Sequence, residues 1–281
     1  MSGAGAIWVD GVLVDAGAPA IAADDHGFLV GDGVFETLLV RAGRPLFWSR
    51  HLARLDRALS TTGLAPLRED RLRAAVGEVL AATGVGEARL RITVSSGPGG
   101  AGLTRGGAPT TVISATPLTA AATQPVPARV VTAAGARNER APLVGVKTTS
   151  YAEAAALHAW ATSLGADDVL LGDSRDRLSE GLTANVFVVL DGHLVTPSLV
   201  AGCLPGIVRD LVLEAGLAQA IEIPLDRLAD AEEVFLTSSV AGVRPVASID
   251  GGPVPVVDGP VAAVAREAVA AAEAAELAER H

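Results

Sequence analysis

Residues 116–127 form a Thr/Ala/Pro-rich stretch that carries Pro117, Pro125 and Pro127. Proline cannot donate to a sheet ladder or continue a helix. No central strand or helix is therefore expected to run through this segment, and the chain is expected to divide there. The division gives a domain at 1–115, a linker at 116–127 and a larger domain at 128–281. Both halves show the same mixture of short strands and helices. In the first, two apolar runs flank Asp10-Gly11, a hairpin signal because both turn residues tolerate positive φ. Strands are predicted at 34–41, 88–95 and 110–115, with a further run at 45–48 after the Ala42-Gly43 turn. Helices are predicted near 51–59 and 68–83. Leu52, Leu55 and Leu59 form the apolar stripe of the first helix, with His51, Arg54 and Arg57 to one side. Along 88–95, Arg89, Arg91 and Thr93 share one face opposite Leu90, Ile92 and Val94. The second half predicts strands at 129–132, 169–171, 186–195 (turned at Asp191-Gly192) and 233–237. Its helices are expected at 151–164, after Pro205-Gly206, and from Pro260. This pattern suits two α+β domains better than one doubly wound parallel sheet.

Composition narrows the chemistry. The net charge of −10 and the absence of an arginine run interleaved with aromatics argue against a nucleic-acid partner. No stretch approaches the roughly 18 apolar residues of a spanning helix, and residues 1–6 lack a basic leader region, so a cytoplasmic protein without a membrane partner is expected. Cys203 is the one cysteine, and the five histidines show no paired ligand spacing, so no metal site is expected. Of the 22 basic residues, Lys147 is the one lysine and the rest are arginines. Arginine stays protonated, whereas a desolvated lysine can lose its proton and attack a carbonyl. An Ala-, Gly- and Arg-rich chain can also keep a stray lysine by chance, so the surroundings of Lys147 decide.

Those surroundings are informative. Lys147 lies in Val146-Lys147-Thr148-Thr149-Ser150-Tyr151, just before a predicted helix. Downstream, Glu180 and Asn185 sit in a predicted loop entering an apolar strand, where a carboxylate is costly without a cation. Leu204-Pro205-Gly206-Ile207-Val208-Arg209 opens a helix whose free amides suit an anion. Thr237-Ser238-Ser239 adds hydroxyls after a strand. Each has a plainer reading: Glu180 paired with a nearby arginine, Pro-Gly as a turn, Thr-Ser-Ser as a cap.

Together and in this order, these segments resemble the class IV aminotransferases, the pyridoxal 5'-phosphate (PLP) fold type IV family. Its members include D-amino-acid transaminases, branched-chain aminotransferases, (R)-amine transaminases and 4-amino-4-deoxychorismate lyases. The resemblance runs from about residue 7 to 250. It also rests on Asp25-His26-Gly27-Phe28-Leu29-Val30-Gly31-Asp32-Gly33-Val34-Phe35-Glu36, on His51-Leu52-Ala53-Arg54-Leu55 and on the turn from Ser239 to Val246. It implies a two-domain α+β fold like that of D-amino-acid aminotransferase, and a homodimer. It also implies that Lys147 binds PLP as a Schiff base and moves the substrate proton. Glu180 would pair with the pyridine nitrogen, Tyr151 with the phenolic oxygen, and Leu204 would pack on the ring. Arg54, the amides of Ile207 and Val208, Ser238 and Ser239 would hold the phosphate, with Asn185 fixing the cofactor loop.

The chain departs from the family at several places. Ala184 stands where Ser is common, Val208 where Thr is common, and His26 where Arg is common. The loop positions that carry an arginine and a histidine for the substrate carboxylate in D-amino-acid transaminases fall at Ala101 and Leu103. Arg89, Arg91 and Arg244 are then the candidate carboxylate ligands. The leading expectation is transamination between an amino acid, D-configured, and a 2-keto acid. The alternative is a 4-amino-4-deoxychorismate lyase releasing pyruvate and 4-aminobenzoate. A branched-chain L-amino-acid enzyme comes third, and a PLP-binding protein without turnover last.

Overall fold

The computed structural model describes residues 6–119 and 126–279. Residues 120–125, in the middle of the expected linker, lie outside the described residues. The chain forms two compact units, one of residues 1–119 with Val146–Tyr151, the other of 120–145 with 152–281.

The first unit contains β1 (Ala6–Val9), β2 (Val12–Asp15), α1 (His26–Leu29), β3 (Gly33–Arg41), β4 (Arg44–Pro45), α2 (Trp48–Thr62), α3 (Glu69–Thr83), β5 (Ala88–Ser95) and β6 (Thr110–Pro117). Its six strands make one antiparallel sheet in the order β2-β1-β6-β5-β3-β4. Asp10 and Gly11 take positive φ at the first hairpin, as that turn requires. Val34, Leu38 and Val40 of β3, with Leu90, Ile92 and Val94 of β5, pack against Leu55 and Leu59 of α2 and Leu72, Val76 and Val79 of α3. Each such side chain contributes roughly 1.5–3 kcal/mol of transfer free energy.

Three details depart from the sequence reading. The strand expected at 45–48 stops at Pro45, because Phe47 turns left-handed (φ 53) and Trp48 already begins α2. Strand β6 runs on into the expected linker as far as Pro117. Proline is tolerated near the end of a strand, and among the described residues β1 pairs with 112–114, short of Pro117, which pairs with Ala88 of β5. Lastly, Val146–Tyr151 belongs with the first unit instead of the second half where the chain order put it. The reason is backbone pairing with β3: Phe35 N–H donates to Lys147 O (2.9 Å) and Thr149 N–H to Gly33 O (2.8 Å). The hydroxyls of Thr149 and Ser150 donate to Gly31 O. Glycine is needed at position 33, since a Cβ there would lie 2.8 Å from Val94 O and 3.0 Å from Thr149 Oγ1.

The second unit contains β7 (Ala128–Arg137), α4 (Ala152–Ser163), β8 (Asp168–Asp173), β9 (Leu178–Gly181), β10 (Asn185–Leu190), β11 (His193–Pro197), α5 (Ile207–Glu214), β12 (Gln219–Ile221), β13 (Glu233–Ser238), β14 (Gly242–Ile249), β15 (Gly252–Pro253) and α6 (Pro260–Ala278). Eight strands run in the order β12-β11-β10-β13-β14-β7-β8-β9, and β15 pairs with β14. The β11–β12, β14–β7 and β7–β8 pairs are parallel. Strands β10 and β13 are apolar almost throughout because both faces are covered. Val186 and Val188 pack with Leu170, Leu178 and Leu236, while Phe187 and Phe235 stack at 5.1 Å among Val208, Val212 and Ala262. Glu180, expected in a loop, lies on strand β9, paired with Leu171 of β8. That strand reads Leu-Ser-Glu-Gly and carries no alternation to announce it. Among the described residues, no helix is long and apolar enough to cross a membrane.

Candidate active site

In the first unit the chemistry gathers around Lys147. Its Nζ lies 4.4 Å from the Phe35 ring centre and 5.9 Å from that of Tyr151. Tyr151 meets Phe35 edge-on at 5.3 Å. The Arg91 guanidinium also lies on the Phe35 ring, at 3.6 Å, and its Nε donates to Thr93 Oγ1 at 3.0 Å. Burial lowers the Lys147 ammonium from 10.5 to about 8, Arg54 and Arg91 adding to the effect and Glu36 opposing it. The lowered pKa raises the share of free amine near neutral pH, the form in which a lysine attacks a carbonyl.

Arg54 is placed differently from a free phosphate ligand. Its Nε and Nη2 donate to the two oxygens of Glu36 at 2.7 and 2.8 Å, and His51 Nδ1 meets Glu36 Oε2 at 2.7 Å. All three residues are buried. The buried stripe of α2 is consequently Trp48, His51, Arg54, Leu55, Ala58 and Leu59, not the leucine stripe alone, while Arg57 is exposed. Burial would raise the Glu36 carboxyl, but the hydrogen bonds and charges of Arg54 and His51 prevail and bring it down from 4.5 to about 2. His51 is held below its usual value by burial, against the pull of Glu36. Arg89 shares the Arg91 face of β5 but is exposed.

In the second unit, Glu180 is buried and forms an ion pair with Arg137 through Oε1, while Oε2 accepts from Leu204 N–H at 2.8 Å. Asn185 Nδ2 donates to Leu204 O at 2.8 Å, so the backbone of Leu204 is held at both its N–H and its carbonyl. Gly206 precedes α5 without a side-chain cap. A Cβ at Gly206 would come 1.9 Å from Asn185 Oδ1, so only glycine allows this approach. Ile207 and Val208 are buried, and as the first residues of α5 their N–H groups have no partner within the helix. Thr237 lies directly opposite Asn185 across β10 and β13, hence on the same face. Its buried Oγ1 finds no hydrogen-bond partner among the described residues. Ser238 Oγ accepts from Ala241 N–H at 3.3 Å, a turn cap, while Ser239 follows in the same turn. Arg244 Nε donates to Val126 O at 2.9 Å.

Sequence reasoning missed Glu36 as the partner of Arg54 and His51 as a second partner of Glu36; for Glu180 it offered an arginine partner, which the structure identifies as Arg137. The phase of β3 held a partial signal. Glu36 falls in step with Val34, Leu38 and Val40, so an acid is pointed into the apolar layer and must find a cation. Nothing in the spacing of Arg137 points to Glu180.

One antiparallel and one mixed sheet, with a desolvated lysine in one unit and a buried acid beside an uncapped helix start in the other, fit a cofactor enzyme with a carbonyl-binding lysine. The family model for amino-transferase class IV matches residues 33–249. A bifunctional aminodeoxychorismate lyase / D-amino acid transaminase of Mycobacterium tuberculosis is 30% identical over 95% of this chain and 98% of that protein. The PLP-bound form of an aminotransferase from Mycobacterium tuberculosis, described as hypothetical, is 29% identical and superposes with a TM-score of 0.83, covering 96% of this chain and 99% of that one. The branched-chain amino acid aminotransferase of Escherichia coli gives a TM-score of 0.87 at 25% identity, over 97% and 96% of the two chains. The chain belongs to the class IV aminotransferases, a family of PLP enzymes.

The residues present fit that cofactor. The uncapped start of α5 and the orphaned Thr237 hydroxyl suit a phosphate. Glu180 is an ionisable acid already partnered by a cation. Lys147 supplies the amine.

Proposed function

We propose that the protein is a transaminase that moves the amino group between a D-configured amino acid and a 2-keto acid, with Lys147 as its catalytic base and acid. The observation that carries this reading is the desolvated amine of the chain's one lysine, with Arg91 on the same aromatic ring. PLP, when bound, supplies an electron sink that acidifies the α-proton of an attached amino acid. Lys147 Nζ, once without its proton, would take that α-proton and return it when the amine is handed over. Glu180 would hold the pyridine nitrogen, Tyr151 the phenolic oxygen, and the amides of Ile207 and Val208 with Ser239, Thr237 and Arg54 the phosphate. Leu204, its backbone held by Asn185 and Glu180, would pack on the ring.

Arg91 is the proposed ligand for the substrate carboxylate. It is half-buried, burial lowers its pKa, and it pairs with no carboxylate among the described residues. A bidentate carboxylate would offset its desolvation. Arg89 is exposed and Arg244 holds the Val126 carbonyl, so both are weaker candidates.

The D-configuration is supported by the Mycobacterium relative, whose two stated activities also keep the lyase as the second reading. Adding D-alanine to the holoenzyme should bleach the visible band of lysine-bound PLP and raise that of the aminated cofactor. A response to L-leucine but not to D-alanine would overturn the D-specific reading. Release of 4-aminobenzoate from aminodeoxychorismate, without either spectral change, would establish the lyase.

The protein is further read as a cytoplasmic homodimer. Phe28, Leu29, Val30 and Leu103 are large, exposed apolar side chains of the kind an interface covers. Light scattering should return twice the chain mass, and a monomer mass would refute the dimer.

A further inference from the structure

We propose that Glu36, itself fixed by His51, is a positioning residue for Arg54: it holds the guanidinium in one orientation so that the arginine meets the phosphate as a pre-aimed donor. The inference rests on the reading of Arg54 as a phosphate ligand given above.

The geometry is that of a clamp. Both Glu36 oxygens are engaged by Arg54, through Nε and Nη2, and the second is also bonded by His51 Nδ1. Two parallel bonds to a planar guanidinium fix its plane as well as its place. The third bond keeps the carboxylate from turning about its own axis. His51 and Arg54 stand three residues apart on α2, so one helical face delivers both to the same acid on β3.

Stability alone gives no reason for such a cluster. Glu36 occupies an inward position between Val34 and Leu38, next to Leu90 and Ile92. Burying an ion pair there stabilises no more than apolar side chains of the same volume, and often less. What the pair does provide is orientation. A long arginine otherwise loses rotamer freedom when it binds an anion. With that freedom already removed in folding, binding the phosphate costs less.

The test separates recognition of the phosphate from integrity of the fold by comparing two ligands of the apoenzyme, PLP and pyridoxal, which lacks the phosphate. Wild type should bind PLP far more tightly than pyridoxal. Glu36→Gln should weaken PLP binding on the order of tenfold or more, the effect of losing one charge-assisted hydrogen bond, and leave pyridoxal binding within about twofold. Glu36→Asp, which keeps the charge but withdraws it by one methylene, should show the same selective loss and serves if the glutamine variant folds poorly. Equal weakening of both ligands, or unchanged or tighter PLP binding, would overturn the proposal. Arg54→Lys distinguishes its failure from that of the underlying reading. If Arg54→Lys loses the preference for PLP while Glu36→Gln and Glu36→Asp keep it, only the positioning role of Glu36 falls. If Arg54→Lys keeps it, the assignment of Arg54 to the phosphate falls, and the proposal with it.

Discussion

Lys147→Ala should abolish transamination, with kcat down by at least about four orders of magnitude. Proton transfer by a placed side chain accounts for about 10²–10⁴ by itself, and the amine that binds the carbonyl is lost as well. No other lysine exists in the chain to substitute. The fold should survive. In the cofactor-free protein the lowered pKa means that below pH 8 the buried ammonium costs stability, and the cost is relieved as pH rises from about 8 to 10.5. That shift corresponds to roughly 3 kcal/mol. Replacing the amine removes the cost, so the alanine variant should melt no lower than wild type at neutral pH. The same shift sets the reactivity of the unmodified apoenzyme. Acylation of Lys147, followed by peptide mapping to separate it from the terminal amine, should be half-maximal near pH 8. Activity of Lys147→Ala within tenfold of wild type, or half-maximal acylation near 10.5, would contradict the role given to this residue.

The second large effect is on stability. Arg54→Ala leaves Glu36 buried with His51 as its remaining side-chain hydrogen-bond partner among the described residues, and breaking a buried pair in this way costs about 3–5 kcal/mol. The deficit should depend on pH in a defined direction. In wild type the Glu36 carboxyl is depressed to about 2, below its ordinary 4.5, so its contribution is complete above about pH 4.5 and is lost as pH falls towards 2. Without Arg54, burial is left to raise that carboxyl. The difference between variant and wild type should therefore be largest near neutrality and shrink below pH 4. Urea denaturation at pH 7 and pH 3 measures both points. A constant difference across that range would mean that Arg54 stabilises through packing and not through Glu36.

Much of the architecture was legible in the sequence because it depends on local rules. Asp10-Gly11 and Asp191-Gly192 mark hairpins since their backbones tolerate positive φ. The alternation in β5 places Leu90, Ile92 and Val94 on one face, and that face is buried. Pro205-Gly206 announces α5, whose first residue is Ile207. Where the reading failed, tertiary contacts had overridden local preference. Pro117 continues β6 by pairing with Ala88 of β5. Lys147 joins the first unit because its backbone pairs with β3, a contact between distant parts of the chain. β9 has no alternation and becomes a strand by pairing with β8.

The candidate site divides along the same line. The sequence by itself determined which residue types could do the chemistry and in what order: one lysine, a tyrosine four residues on, an acid before an apolar strand, a glycine before a helix. Those follow from what each side chain is able to do, wherever it lies. Only the tertiary structure decided which charges are already neutralised. It gave Glu36 to Arg54 and His51, gave Glu180 to Arg137 and the Leu204 amide, and left Arg91 on the Phe35 ring without a carboxylate among the described residues. Ion pairing and desolvation act through space, over a few ångströms, between residues far apart in the chain. The pattern of residue types along it therefore carries the candidates but not the pairs.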